Sequence, residues 1–236
     1  MPALIICVYY DRPQIVRGAL ESLRRQTSRD WHLSFIDDGS PNPGEPIVRE
    51  ILSEHLDRIT FYRCEDTKEQ KLAQGGSRHG AFMNQAMAEA KVAPSDPVLV
   101  LCDDDALVET CVGNVVNWYQ RNPGQVWSYG HVIPYDPSKG PPPWGAKTPR
   151  IWLNKTGTIA PACQVDSSQV TFRLEKIREI GYPSPMTSAL DAAVFTEFHR
   201  RHGGCPFTGF TQQFKGVFND QLGSRPIERR YSPNVK

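Results

Sequence analysis

The chain has 236 residues, 39% of them hydrophobic, which is enough for one compact domain with a sizeable core. Its 27 lysine and arginine residues nearly balance 26 aspartate and glutamate residues, so the charge favours neither a nucleic acid nor an anionic membrane as a partner. Six cysteines show no CxxC pairing, and three lie in or beside apolar runs where a free thiol packs as a small hydrophobe, which indicates a reducing compartment.

The first predicted strand is Ala3–Tyr9, a continuous apolar run of the kind that is buried on both faces of a parallel sheet. No basic segment precedes this run and Asp11 ends it, so we expect neither a signal peptide nor a membrane span, and a soluble cytoplasmic protein. Pro13 opens the next segment, in which apolar residues over 15–26 recur at spacings of three and four residues. This spacing predicts an amphipathic helix.

Strands and helices then alternate as far as residue 102. We predict strands at 31–37, 58–64 and 97–102, a helix at 46–56, and a glycine-containing loop from Gly75 that leads into a helix reaching Lys91. This order predicts a single α/β domain with a mostly parallel, Rossmann-like sheet flanked by helices and joined by right-handed crossovers.

The second half of the chain is less regular. Its prolines predict a long loop over residues 134–149 that covers the site, and a strand follows at 165–173. Two helices come next, one closed by Gly181 and one closed by Gly203 and Gly204. The residues after Phe207 show no clear period.

Polar residues follow three of the predicted strands, and ligands of parallel sheets bind beyond these carboxyl ends. Three consecutive aspartates, Asp103, Asp104 and Asp105, cannot be buried unpaired, so they need a cation or water. Carboxylate oxygens suit Mg²⁺ or Mn²⁺, which keep positions open for substrate phosphates. The alternative is a solvated acidic turn or a helix N-terminus.

Two further segments carry groups that suit a nucleotide. Asp37 and Asp38 can accept hydrogen bonds from a base or a ribose, although in isolation a turn capped by aspartate is the preferred explanation of this segment. Arg78, after a glycine-rich loop, can bind phosphate, with Arg12 and Lys71 as further candidates; the alternative is an ordinary flexible loop.

These landmarks, in this order, resemble glycosyltransferase family two, which has the GT-A fold. They are an apolar strand, a helix ending in Gln26-Thr27, an Asp-Asp-Gly-Ser turn at 37–40 and an Asp-x-Asp motif at 103–105. The resemblance implies a donor-binding half at 1–110 and an acceptor-binding half with the catalytic base at 111–236. It implies transfer from a nucleoside-diphosphate sugar, a UDP-sugar being the expected donor, to an acceptor hydroxyl, with inversion and with Mn²⁺ or Mg²⁺ as cofactor.

The resemblance also assigns roles to particular residues. It implies metal contacts for Asp105 and Asp103 and a ribose contact for Asp103, and Asp104 is placed with the donor-binding residues. Where the family has a Glu-Asp pair opening a helix, this chain has Leu190-Asp191, so Asp191 is the expected base and its glutamate neighbour is missing. The nucleoside contacts implied by the family are Val8, Tyr9, Asp11 and either Asp37 or Asp38.

Several alternatives stay open. The alternative for Asp191 is a helix cap in competition with Ser188, which would leave Glu197 or Asp166 as the base. Many relatives carry an Arg and a His where this chain has Lys215 and Val217, so a third protein ligand for the metal is undefined. Asn84 corresponds to an asparagine of the family.

The competing functions are a nucleotidyltransferase and a nucleotide-sugar binding module that has lost its base. A nucleotidyltransferase usually has a glycine-rich loop directly after its first strand, and this chain lacks those glycines. The acceptor is open among a saccharide, a lipid-linked glycan, a protein and a modified nucleic-acid base. The aromatic residues at 144–152 can stack on a sugar ring or simply cover the core.

Overall fold

A computed structural model describes residues 1–66, 78–134, 167–183 and 190–215 of the chain. Short 3₁₀ helices at Ser53–Arg58 and Ser167–Gln169 accompany the main elements. In chain order these elements are β1 (Ala3–Tyr9), α1 (Pro13–Arg24), β2 (Trp31–Asp37), α2 (Glu45–Ile51), β3 (Ile59–Arg63), α3 (His79–Ala88), β4 (Pro97–Val100), β5 (Ala106–Leu107), α4 (Cys111–Arg121), β6 (Trp127–Pro134), β7 (Val170–Arg173), α5 (Leu174–Ile180), α6 (Leu190–His202) and β8 (Phe207–Lys215).

The eight strands form one sheet in the order β3-β2-β1-β4-β7-β6-β8-β5. The first four are parallel, with Tyr9 at the end of β1 level with Asp37 at the end of β2. β7 is antiparallel to both β4 and β6, whereas β8 is parallel to β6. The carboxyl ends of β1, β2, β3 and β4 therefore lie along one edge of the sheet, as the sequence predicted.

β1 is buried on both faces, which explains its unbroken apolar sequence. Ile5 on one face packs with α1 and α4, and Ile6 on the other packs with α3. Full burial of such a side chain stabilises the fold by about 1.5–3 kcal/mol. The strand is thus fixed from two sides, and this fixes the position of the loop that follows it.

The Gln-Thr pair after α1 has a structural role. The side-chain amide of Gln26 donates to the carbonyl oxygens of Ser22 and Val108, at 3.1 and 2.9 Å. Its oxygen accepts the backbone N–H of Val112 at 3.0 Å, in the first turn of α4. Gln26 is buried, so these three bonds satisfy its amide and hold the end of α1 against the start of α4.

The predicted strands and helices of the N-terminal half are confirmed, with differences in where some of them end. The helix predicted at 46–56 ends at Ile51, and a 3₁₀ segment follows in which His55 has a non-helical backbone (φ −133°). His55 contacts Arg29, with 2.9 Å between the guanidinium and Nε2, and packs edge-on to the ring of Trp31. These contacts with the start of β2 bend the chain away from a continuous helix.

The C-terminal half differs more from the prediction. The helices closed by Gly181 and Gly203 are confirmed, and both glycines have a positive φ, at 70° and 76°. The residues after Phe207, for which the sequence shows no clear period, begin with β8. Its pairing with β6 has register shifts around His131, which remove the two-residue alternation that marks a strand.

Parts of the sequence analysis fall on residues that the structure does not describe. Among the described residues, none of the helices combines the length and apolar character needed to cross a bilayer. The five cysteines within these residues, at positions 7, 64, 102, 111 and 205, are free thiols. Outside the described residues lie Lys71, Gly75, the proline-rich and aromatic segments at 135–152, Asp166, Ser188 and Val217.

Candidate donor and metal site

The loops after β1 and β2 are tied together by hydrogen bonds. The backbone N–H of Asp38 donates to the carbonyl of Tyr9 at 3.0 Å, and that of Asp11 donates to Ser40 Oγ at 2.9 Å. Asn42 donates from its side chain to Asp11 Oδ1 at 2.8 Å, and its own carbonyl accepts the hydroxyl of Tyr9 at 2.9 Å. These hydrogen bonds therefore hold the ends of β1 and β2 together.

The residues predicted to bind the nucleoside from the first strand differ in exposure. Tyr9 is buried, its ring stacks on Phe35, and burial together with the charge of Asp37 raises its pKa to about 12. Its side chain is a core group. Val8 is half-buried. Asp11 adopts a left-handed backbone (φ 46°), a conformation that costs a non-glycine residue about 1–3 kcal/mol and is typical of functional sites.

Asp37 supports the turn from inside. Its Oδ1 accepts the backbone N–H of Ser40 at 2.7 Å, and its Oδ2 accepts the backbone N–H of Gly44 at 3.0 Å and Arg63 Nη1 at 2.7 Å. Gly44 is required here, since a Cβ would lie 2.6 Å from the ring of Phe35. Both carboxylate oxygens of Asp37 thus accept hydrogen bonds from the protein itself. Asp38 is the more accessible of the two predicted nucleoside contacts.

Asp38 and Arg78, both predicted donor residues, form an ion pair. The guanidinium of Arg78 also donates to Asp66 and lies 5.1 Å above the ring of Phe82. Its side chain is only 11% exposed, so the structure places it as a link between β2, the end of β3 and α3 rather than as an extended arm. A phosphate contact by Arg78 stays a prediction.

The three aspartates after β4 form a tight turn. The backbone N–H of Asp105 donates to the carbonyl of Cys102 at 3.1 Å, and all three carboxylates are buried. Arg12 donates from Nε to Asp103 Oδ2 at 2.9 Å and makes a second bond from Nη2 to Oδ1. Its Nη1 lies 3.5 Å from Asp104 Oδ2. The loop after β1 therefore carries a positive charge to this turn.

Burial raises the pKa of Asp103 to about 6, the Arg12 guanidinium opposes this rise, and the charge of Asp104 reinforces it. Ionised carboxylates in such a position are costly without positive charge nearby. Burial, followed by the charge of Asp103, also raises the pKa of the Cys7 thiol well above its usual range. The turn is therefore a place where a cation would be strongly favoured.

One group of metal-ligating side chains stands out among the described residues. One ligand atom each from Cys102, Asp104 and Asp105 lie within 4.8 Å of one another. Two carboxylates in such a set fit a divalent cation, so the chemistry of this turn suits the expected metal. The predicted ligands were Asp105 and Asp103; the structure gathers Asp105 with Asp104 and turns Asp103 toward Arg12.

The sequence analysis missed two residues of this region. Cys102 was read as the last apolar residue of a strand, although β4 ends at Val100 and Cys102 opens the turn. Gln213 lies in β8, which was not predicted. It is buried and its amide nitrogen donates to the carbonyl of Val100 at 2.6 Å. A glutamine in a segment without a recognised period gives no signal.

The catalytic-base candidates lie in α6. Asp191 is the second residue of this helix, and the placement of its side chain lies outside the described part of the chain. Glu197 pairs with Arg200 and Arg201 on the same helix, and these hydrogen bonds lower its pKa to about 2. That pairing gives Glu197 a role on the helix surface instead of at an acceptor.

Asn84, which corresponds to an asparagine of the family, clamps a backbone. Its amide nitrogen donates to the carbonyl of Tyr182 at 2.8 Å, and its oxygen accepts the N–H of the same residue at 2.7 Å. This pair of bonds joins α3 to the turn after α5. Asn84 is therefore a structural residue of the fold.

Comparison with known proteins agrees with this geometry. The chain is 33% identical over 102 residues to the succinoglycan biosynthesis protein ExoW of Rhizobium meliloti, a match covering 43% of this chain and 28% of that protein. It is 23% identical over 123 residues to a teichoic acid poly(glycerol phosphate) polymerase of Staphylococcus epidermidis, covering 52% and 15%. The chain thus spans less than a third of the length of either relative.

Solved structures share the fold at low sequence identity. S. aureus TarS (residues 1–349) in complex with UDP-GlcNAc matches with a TM-score of 0.67 at 14% identity, over 91% of this chain and 58% of that one. The mannosyltransferase PcManGT from Pyrobaculum calidifontis, in complex with GDP-Man and Mn²⁺, matches with a TM-score of 0.61 at 14% identity, over 91% and 56%. The predicted GT-A fold is confirmed.

The sequence profile described as glycosyl transferase family 2 matches residues 4–174. This match includes the loop of Arg12, the turn of Asp37 and Asp38, and the aspartate turn after β4. Because it covers well over half of the 236 residues, the chain belongs to glycosyl transferase family 2.

Proposed function

We propose that this chain transfers a sugar from a nucleoside-diphosphate sugar, a UDP-sugar being the expected donor, to an acceptor hydroxyl. The observation that carries the proposal is that hydrogen bonds link the ends of β1, β2 and β4 at one edge of the sheet. Arg12 donates a hydrogen bond to Asp103, and the backbone N–H of Asp38 donates to the carbonyl of Tyr9. Ligands of parallel sheets bind at such an edge. TarS, which shares the fold, has been solved with UDP-GlcNAc, and this supports the choice of donor.

In this proposal the nucleoside lies against the β2 end of the edge. Asp38 accepts hydrogen bonds from the N–H or O–H groups of the nucleoside, because Asp37 is committed to Ser40, Gly44 and Arg63. Asp103 accepts from the ribose, and Arg12 holds its carboxylate in place through two hydrogen bonds.

Asp104 and Asp105 would hold the divalent cation, Mn²⁺ or Mg²⁺, beside the diphosphate. The bound cation would offset the charge that grows on the nucleoside diphosphate as it leaves. PcManGT, solved with Mn²⁺, supports Mn²⁺ as the first ion to test. Asp105 is fully buried, so its charged carboxylate would need a cation nearby.

Asp191 is the proposed base. It lies in the first turn of α6, where the positive end of the helix dipole favours an ionised carboxylate. It would take the proton of the acceptor hydroxyl while the hydroxyl oxygen bonds to the anomeric carbon. The bond from that carbon to the diphosphate breaks on the opposite face, so the product has the inverted configuration.

The proposal divides the work between two parts of one domain, the donor contacts at 1–110 and the acceptor contacts with the base at 111–236. The names of two relatives, in succinoglycan biosynthesis and in teichoic acid polymerisation, favour a saccharide or polymer acceptor over a nucleic-acid base. The balanced overall charge supports the same choice, since a nucleic-acid partner usually requires a basic surface.

Two measurements on one panel of UDP-, GDP- and other nucleotide sugars test the proposal. Thermal unfolding with and without Mn²⁺ reports donor binding, because a ligand present at 100 times its Kd stabilises the fold by about 2.7 kcal/mol. Slow hydrolysis of the same donors reports catalysis. In the presence of Mn²⁺, we expect a UDP-sugar to stabilise the chain against thermal unfolding and to be hydrolysed. Stabilisation without hydrolysis would identify a binding module, and neither effect with any donor would refute the proposal.

A further inference from the structure

We propose that the thiolate of Cys102 is a ligand of the divalent cation, so that the site is a mixed sulfur and oxygen site formed by Cys102, Asp104 and Asp105. This inference rests on the proposed function for the presence of a cation. It goes further in naming a third protein ligand and the class of ion that such a set prefers.

The backbone turn brings the three groups together. Cys102 and Asp105 are the first and last residues of a turn closed by the 3.1 Å bond from the Asp105 N–H to the Cys102 carbonyl. Their side chains therefore start from neighbouring positions, and the Cys102 sulfur and one carboxylate oxygen each of Asp104 and Asp105 lie within 4.8 Å of one another. Small adjustments of three side chains would bring these atoms onto one ion at ordinary ligand distances.

Asp103 lies outside this group and is the closer of the two aspartate partners of Arg12, whose Nη1 also lies 3.5 Å from Asp104 Oδ2. Each of the Asp103 carboxylate oxygens accepts one hydrogen bond from Arg12. A guanidinium bound in this bidentate manner is one of the stronger polar contacts in proteins, so Asp103 is a poor candidate to leave it for a metal. Cys102 takes the place that the sequence analysis gave to Asp103.

Cys102 is also the suitable thiol by accessibility. It is half-buried at the start of the turn, whereas Cys7, the other thiol close to the aspartates, is fully buried in β1. A solvent-borne ion can thus reach the Cys102 sulfur.

The chemistry of the site follows from the ligand types. On binding, the Cys102 thiol loses one proton to solvent and its sulfur bonds to the ion, so metal affinity rises with pH. Thiolate favours softer divalent ions and carboxylate alone favours Mg²⁺. We therefore expect Co²⁺, Zn²⁺ and Cd²⁺ to bind more tightly than Mn²⁺, and Mn²⁺ more tightly than Mg²⁺.

Cobalt spectroscopy tests the sulfur bond directly. The full chain is titrated with Co²⁺, and a thiolate ligand gives a sulfur-to-cobalt charge-transfer band in the near ultraviolet. We expect the band in the wild-type chain, its loss in Cys102→Ser, and its retention in Cys64→Ser, a matched control because Cys64 is another half-buried thiol that follows a strand of the same sheet. Circular dichroism checks that both variants fold.

A second measurement needs no variant. Cadmium NMR of the wild-type chain separates a site with one sulfur ligand from an all-oxygen site by chemical shift. In parallel, Cys102→Ser should weaken Cd²⁺ binding by at least about 10-fold, the lower bound for losing even an outer-shell partner of a metal, and leave Mg²⁺ binding little changed.

The possible outcomes separate this inference from the proposed function. A Co²⁺ site without the charge-transfer band, or a band that survives in Cys102→Ser, overturns the role of Cys102. If that result comes with Mn²⁺-dependent hydrolysis of a UDP-sugar, the proposed function stands alone. If no divalent ion binds the folded chain, with or without UDP, both the Cys102 ligand and the metal dependence are overturned.

Discussion

Arg12 donates from Nε to Asp103 Oδ2 at 2.9 Å across 91 residues of sequence. This contact joins the loop after β1 to the turn after β4, and these two strands are neighbours in the parallel half of the sheet. The loop and the turn therefore hold each other, and the carboxylate that is expected to face the ribose has a fixed orientation before the donor binds.

Removing this guanidinium should destabilise the fold. In Arg12→Ala the buried Asp103 carboxyl group loses the guanidinium that offsets its charge, at a cost of about 1–3 kcal/mol after allowance for the partial exposure of Arg12. Urea unfolding at neutral pH measures this loss. Mn²⁺ should restore part of the stability, because a cation near the aspartates replaces the missing charge.

Arg17→Ala is the matched control for this experiment. Arg17 also donates two hydrogen bonds to a carboxylate, that of Glu50, but on the exposed surface. We expect no resolvable change in the free energy of unfolding for this variant. Equal losses in Arg12→Ala and Arg17→Ala would mean that the Arg12 pair has no special place in the fold.

The two aspartates of the turn after β2 should have different roles, Asp37 in stability and Asp38 in UDP binding. Asp37→Asn removes an acceptor that serves Ser40, Gly44 and Arg63, so we expect a loss of about 1–3 kcal/mol in the free energy of unfolding. Asp38→Asn should cost less stability and raise the Kd for UDP by about 10- to 100-fold, the value of a hydrogen bond to a charged group. Unfolding curves and calorimetric UDP titrations test both, and the reverse pattern would move the nucleoside contact to Asp37.

The assignment of Asn84 to the fold makes a separate prediction. Asn84→Ala leaves the N–H and carbonyl of Tyr182 without their partner and should cost about 1–3 kcal/mol of stability. The Kd for UDP should stay within twofold of the wild-type value, a difference of about 0.4 kcal/mol. A stable variant with weak UDP binding would show instead that Asn84 contacts the donor.

The proposed base can be tested without disturbing donor binding. Asp191→Asn keeps the size of the side chain and removes its ability to take a proton, so turnover should fall by about 100- to 10,000-fold. The Kd for the donor should not change. Donor binding is measured by calorimetry and turnover by release of the nucleoside diphosphate with acceptor present. Wild-type turnover in this variant would show that Asp191 is not the base.

The parallel half of the fold was predictable because its signals are local. The apolar run of β1, the Asp-Gly-Ser turn and the aspartates after β4 each mark a strand end from neighbouring residues alone. The ion pair of Arg12 and Asp103 was not predictable, because it depends on the strand order β1-β4 in the folded sheet. The position of Cys102 in the turn was also not predictable. At the end of an apolar run, the sequence does not distinguish a cysteine in a turn from a cysteine that packs in the core.

The C-terminal strands were harder to predict for physical reasons. β8 pairs with β6 through register shifts, so its inward and outward residues do not alternate regularly. Gln213 is buried within it and bonds to the carbonyl of Val100, a contact that only the completed sheet creates. Polar residues in a bulged strand carry the pattern of a loop.

The most direct test of the account is the rate of UDP-sugar hydrolysis with and without Mn²⁺ in the wild-type chain and in Asp105→Ala. Asp105 is buried, and it belongs both to the predicted Asp-x-Asp motif and to the group of ligand atoms seen in the structure. We predict hydrolysis that requires Mn²⁺ in the wild-type chain and is lost in a folded Asp105→Ala variant. Hydrolysis at the wild-type rate in Asp105→Ala, or a wild-type rate that is the same without Mn²⁺, would contradict the proposed metal site.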